Sequence, residues 1–223
     1  MKKVYPRPAQ VRKEAYMKLI LASGSPRRKE ILELGGYEYE VAVSNIEEKM
    51  DETEPDRLVK SLSRQKALAV LDELTARTDK NAKDAAGSTG SGLNGVYEDE
   101  ILVIGADTVV ACEGRILGKP KDKEDARAMI TLISGREHEV YTGVTLAREG
   151  CEPYTFCEVS KVYVDSLMPE EIESYISSSE PYDKAGGYAI QGAFAKHISK
   201  IDGDYYNIMG FPLSRFKKEL RAL

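Results

Sequence analysis

The feature that most restricts what this chain can become is the way short apolar runs alternate with helix-starting signals. Residues 18–22 (KLILA) form an apolar run that stops at Ser23-Gly24 and gives way to Ser25-Pro26-Arg27-Arg28. A run so short, bounded by serine and glycine, reads as a buried strand rather than a helix. Ser25 followed by Pro26 reads as a helix N-cap, because proline's fixed φ suits the first turn and its missing N–H is not needed there. The helix is predicted over about 26–34. A half-exposed strand follows at 37–43 (YEYEVAV), then a helix at 55–74 with Leu58, Leu62, Ala69 and Leu71 on its apolar face. Alternation of this kind argues for an α/β architecture.

Residues 79–100 interrupt the pattern with a cluster of Gly, Ser and Asn. They read as a flexible insert rather than a domain boundary. The apolar strand at 101–105 needs partners from the N-terminal part if it is to be buried on both faces. Extended chain continues at 108–111, Glu113-Gly114-Arg115 turns, and Asp122 caps a helix over 123–133. Strands at 140–147 and 155–164, a helix at 169–177, a glycine-rich loop at 181–192, a strand at 197–201 and a closing helix at 212–220 complete the reading. Residues 1–17 lack the apolar stretch of a leader and read as a flexible extension, leaving 18–223 as one α/β domain.

Of the 223 residues, 42% are apolar, enough for a sizeable core and too many for a wholly disordered chain. No run approaches the roughly 18 apolar residues of a spanning helix, so a soluble protein without a membrane partner is expected. Cys112, Cys151 and Cys157 are odd in number and share no C-x-x-C spacing, which excludes a disulfide framework or zinc knuckle and points to the cytoplasm. They read as small hydrophobes. The net charge of −5 makes nucleic acid a poor partner, yet permits one concentrated basic site for phosphates.

Ser23-Gly24-Ser25-Pro26-Arg27-Arg28 is the strongest local signal. A helix start offers free N–H groups and a positive dipole end, a natural anion seat. Two arginines in that first turn oppose the dipole unless an anion sits with them. Asp107, in Gly105-Ala106-Asp107-Thr108, falls near the carboxyl end of an apolar strand, where ligands gather in α/β sheets. Glu47 and Glu48 follow another strand. Paired carboxylates there suit magnesium or manganese better than zinc. Gly118-Lys119-Pro120 misses the P-loop pattern, though Lys119 can still meet a phosphate as a point charge. Lys66, on a helix, reads by default as a solvated lysine, and His138 and His197 as structural or exposed rather than catalytic. The stretch 183–192 (DKAGGYAIQG) lets a ligand approach the backbone, and Gln191 can both donate and accept hydrogen bonds.

These residues fall in blocks that resemble the Maf family of nucleoside triphosphate pyrophosphatases. The blocks are LILASGSPRR (19–28), NIEE (45–48), LSRQKA (62–67), GADTVV (105–110), GKP (118–120), LISGREHEVYTGV (132–144), YDKAGGYAIQG (182–192) and GDYYNIMGFPL (203–213). They keep the family's order along the chain. The extension before residue 18 and the 79–100 insert are departures that remove no motif residue. The resemblance implies a mixed twisted sheet with flanking helices, two lobes around a nucleotide cleft as in the inosine triphosphate pyrophosphatases, and often a homodimer. It also implies hydrolysis of a nucleoside triphosphate to the monophosphate and pyrophosphate with a divalent metal, magnesium or manganese.

Carried over by motif, Asp107 is the proton acceptor and Glu48 a metal- or water-positioning carboxylate, the two together forming the metal site. Arg28, Lys66 and Lys119, with Ser23 and Ser25, are phosphate-binding. Arg27, Thr108 and Gln191 are linked to substrate choice. A glutamine at 191 matches the imide edge of thymine or uracil, so the resemblance is to the subgroup acting on dTTP and UTP. The alternative, also attached to the family, is a nucleotide-binding regulator of septum formation with little catalysis.

Overall fold

The computed structural model describes residues 17–85 and 100–223. A mixed seven-stranded sheet forms its centre, in the order β2-β1-β3-β5-β6-β7, with β4 paired to β3 off that path. The strands are β1 (Met17–Leu21), β2 (Tyr39–Val41), β3 (Glu100–Cys112), β4 (Arg115–Leu117), β5 (Glu137–Ala147), β6 (Tyr154–Val164) and β7 (Ile198–Asp202). The helices are α1 (Pro26–Leu34), α2 (Pro55–Ala85), α3 (Lys123–Ile133), α4 (Pro169–Ile176), α5 (Tyr205–Met209) and α6 (Leu213–Leu220). Among the described residues no helix is long and apolar enough to cross a membrane.

Several boundaries differ from the sequence reading. Met17 already belongs to β1; residues 1–16 lie outside the described part. The second strand shrinks to three residues. α2 runs eleven residues past Leu74, so 79–85 is helical, Glu100 opens β3, and only 86–99 of the expected insert lies outside the described residues. β1 pairs directly with β3, joining the chain before that segment to the chain after it. The short α5, between Gly203 and Gly210, is absent from the sequence reading. α1 and α3 match, and Asp122 caps α3 through its carboxylate, which accepts from the Asp125 N–H at 2.8 Å. Ser25 stands at the N-cap of α1 without a side-chain cap bond; Ser23 Oγ instead accepts from the Ser25 N–H at 3.3 Å.

β3 organises the core. In its first half Leu102, Ile104 and Ala106 face a cluster with Leu21, Ile31, Leu32, Phe211 and Phe216. In its second half Val110 and Cys112 face another, with Ile130, Ile133, Val162, Tyr188 and Phe194. Each large side chain buried in such a cluster contributes about 1.5–3 kcal/mol. The opposite face of the sheet is covered by α2, whose Leu58, Val59, Leu62, Ala67 and Val70 are buried.

α2 can lie this close because of two glycines. A Cβ on Gly105 of β3 would overlap the Ser63 carbonyl oxygen and Ala67, and one on Gly143 of β5 would overlap Val59. The helix therefore rests on bare backbone, which only glycine allows.

Candidate active site

β1 ends at Leu21, opposite Ile104, while β3 continues for eight more residues. Beyond that point, among the described residues, the β1 side of β3 stays unpaired until β4 joins it at Val110–Cys112, and this gap is the mouth of a cleft of about 460 Å³. Asp107 and Thr108 stand in this gap. Strand alternation sends them to opposite faces, yet both line the cleft, because the sheet is open there. Asp107 is thus not at a strand end, as the sequence reading has it. It is in mid-strand, beyond the end of the neighbouring strand.

The cleft brings together Ser23, Ser25, Arg27, Arg28, Lys66, Asp107, Thr108, Lys119 and Gln191 from five separate stretches of chain. Glu48 does not line it. It borders a smaller adjoining cavity of about 190 Å³ that shares Ser23, Gly24 and Lys66 with the main cleft. All ten candidate residues therefore gather in two connected hollows.

Lys66 joins the hollows. Its Nζ donates to Asp107 Oδ1 at 2.5 Å and lies 3.3 Å from Glu48 Oε1. Only 19% of its side chain is exposed, so the default reading of a solvated surface lysine is wrong. The close seat of α2 on Gly105 is what delivers it to Asp107. Glu48 belongs to an exposed segment without regular structure, held by Gln65. The Gln65 amide accepts from the Lys49 N–H at 2.9 Å and donates to the Lys49 carbonyl at 3.0 Å. Nothing in the sequence pattern marks Gln65 for this task.

Arg28 is satisfied by the protein itself. Its Nε donates to the Gly210 carbonyl at 2.9 Å, Nη1 to Ser23 Oγ at 2.9 Å and Nη2 to Thr108 Oγ1 at 3.2 Å. Three protein oxygens thus accept from it at its place in the first turn of α1. Desolvation lowers its pKa from the usual arginine value, and the nearby charge of Asp107 opposes that shift. Thr108 is also engaged, its hydroxyl sharing a hydrogen bond with that of Thr142 at 2.9 Å. Thr142 donates in turn to the Asn207 carbonyl at 3.0 Å, tying the C-terminal segment to the cleft floor. Among the described residues the Arg27 and Lys119 side chains make no hydrogen bond or ion pair, and both line the cleft.

His138 and His197 are both buried. Cys112 is buried, but Cys151 is exposed in the β5–β6 connection and does not fit the reading of a small buried hydrophobe. Among the described residues no three or more His, Cys, Asp or Glu side chains gather as a ready-made metal cage. The two carboxylates that share Lys66 are Asp107 and Glu48, while a third, Asp183, lines the cleft paired with Lys184. The first two fit magnesium or manganese, which commonly take one or two protein carboxylates and complete their shell with water and substrate phosphates.

An α/β protein with a basic, carboxylate-bearing cleft where one strand outruns its neighbour belongs to the class built to hold phosphorylated small molecules. The chain belongs to the Maf-like protein family, whose profile matches residues 18–223. It is 48% identical over 211 residues, 92% of this chain and 97% of the relative, to a dTTP/UTP pyrophosphatase of Agathobacter rectalis. A dTTP/UTP pyrophosphatase of Lachnoclostridium phytofermentans is 44% identical over 207 residues, 91% of this chain and 93% of the relative. Among solved structures, that of the Staphylococcus aureus Ham1 protein aligns over 92% of this chain and 98% of its own at 9% identity, with a TM-score of 0.42.

Proposed function

We propose that this protein hydrolyses dTTP and UTP to the monophosphate and pyrophosphate. The observation that carries the reading is the Asp107–Lys66–Glu48 cluster, which joins a cleft lined by Arg27, Lys119 and Gln191 to the adjoining cavity bordered by Glu48. The naming of relatives at 42–48% identity supports the same reaction and the same bases.

Attack of water on the α-phosphorus needs the triphosphate held in line and its charge offset. Arg27 and Lys119 bind phosphate oxygens from the cleft walls. Lys66 orients both carboxylates and presents its remaining ammonium protons to the substrate. Asp107, the less exposed of the two, accepts the proton of the attacking water. Asp107 and Glu48 would hold a divalent cation, which supplies further charge neutralisation on the phosphates. Gln191 meets the base: its amide donates to a carbonyl and accepts from the imino N–H of thymine or uracil. Thr108 supports the pocket from behind through Arg28 and Thr142.

The test is pyrophosphate release from a panel of nucleoside triphosphates with magnesium or manganese. The expected result is preferential turnover of dTTP and UTP, with Gln191→Glu eroding that preference. No release from any of them would support a regulatory binder instead. Preference for a guanine nucleotide would overturn the assignment of the base pocket.

A further inference from the structure

The stretch that carries Gln191 is held on both sides by His138 and Glu180, neither of which lines the cleft, although Tyr188, through which His138 acts, does. Three residues earlier, Tyr188 turns its ring inward, and its hydroxyl lies 2.6 Å from Nε2 of His138 on β5. His138 is 2% exposed and Tyr188 5%. Their rings meet edge to face at 5.2 Å, and Tyr188 packs on Phe194 at 5.1 Å. Burial pushes the His138 pKa down to about 4 and that of Tyr188 up, so the bond joins two neutral groups.

Two residues after Gln191, the Ala193 N–H donates to Glu180 Oε2 at 2.9 Å. The Tyr175 hydroxyl donates to the other oxygen of that carboxylate at 3.0 Å. Gly192 lies so close that an added Cβ would overlap the Glu180 carboxylate. Gln191 itself is exposed and, among the described residues, makes no hydrogen bond with which it could fix its own place. Its position is set by the two anchors.

We infer that His138 and Glu180 are positioning residues for base selection, acting on the nucleotide through Tyr188 and Ala193 by fixing where the Gln191 amide stands. This rests on the reading that Gln191 meets the base. An amide rejects a wrong base only if it cannot move to suit it; a mismatch is costly when the site's polar groups are left unpaired. A loop free at either end would let the amide adapt, and discrimination would fall while binding of the phosphates continued. The two anchors remove that freedom before the nucleotide arrives.

The experiment uses Tyr188→Phe, which keeps the ring and deletes the hydroxyl, His138→Gln, and Glu180→Gln. Measured are kcat/KM for dTTP and for GTP, together with Tm. The expected result is a fall of about tenfold in the dTTP-to-GTP ratio in each variant, the scale of one misplaced specificity contact. In a Gln191→Ala background the same changes are expected to leave the ratio where Gln191→Ala alone puts it. A purely structural role lowers Tm and depresses both nucleotides equally, and an unchanged ratio in any folded variant overturns the inference. A wild type with no pyrimidine preference overturns the substrate reading, and this inference with it. A wild type that prefers dTTP, with variants that keep the preference, overturns this inference alone.

Discussion

Asp107 has only 9% of its surface exposed and shares Lys66 with Glu48. If it takes the proton of the attacking water, Asp107→Asn should keep the volume and an acceptor for Lys66. Nucleotide binding then persists while turnover drops by roughly two decades or more, the usual worth of a general base. Near-wild-type kcat in a folded Asp107→Asn protein contradicts the assignment. A second residue-scale expectation concerns His138. Burial lowers its pKa from 6.5 in the unfolded chain to about 4 in the folded one. Between those values the unfolded chain binds more protons, so stability rises with pH across that window and is untouched above it. Acidification from pH 6.5 to 4 should therefore withdraw up to about 3 kcal/mol through this one group. Thermal melts across that range should show a flatter slope in His138→Gln; an equal slope in both proteins assigns the loss to other groups.

At the scale of elements, the seat of α2 on β3 decides the geometry of the site. Gly105→Ala should lift the helix from the strand, because the new methyl meets the Ser63 carbonyl and Ala67. Overpacking of this kind costs about 1–3 kcal/mol. The same displacement takes Lys66 away from Asp107, so kcat should fall more than the loss of folded protein explains. Retention of full activity at reduced Tm would show that the Lys66 contact tolerates the shift. This contact also marks the limit of what the sequence carried. The cues for α1 and α3 are local: proline at the first turn, and an aspartate whose carboxylate caps the helix. Their bounds are legible for that reason. The continuity of β3 through Gly105-Ala106-Asp107 is not, since a glycine followed by a small residue and an acid imitates a strand end. The polar tail of α2 past Leu74 imitates a loop, and α5 spans only five residues. The ten candidate residues were legible as motifs. Their relations were not, because Lys66 meets Asp107 across 41 positions of chain and Arg28 meets Gly210 across 182.

For the whole molecule, the cleft lies where the two apolar clusters along β3 divide, one built on Leu102, Ile104 and Ala106 and the other on Val110 and Cys112. Its walls come from both sides of that division: Ser23 to Arg28 and Gly210 with the first cluster's elements, Lys119 and Tyr188 with the second's. A nucleotide seated there would bridge the two, and binding to the folded state alone adds stability by mass action. A dUTP analogue with a nitrogen in place of the α,β-bridging oxygen resists the proposed cleavage and allows this to be measured. At a concentration near one hundred times Kd it should stabilise the protein by about 2.7 kcal/mol, which for a chain of this size is a Tm rise of roughly 5–10 °C. Amide exchange should slow both around Ser23–Arg28 and around Tyr188–Gln191, since the ligand touches both. Asp107→Asn should show the same rise when both proteins are melted without divalent cation, because the reading then leaves phosphate binding to the basic walls and assigns Asp107 to the chemical step. A rise with protection confined to one side of the cleft would mean that the nucleotide lies along that wall alone, leaving Gln191 without a base to read.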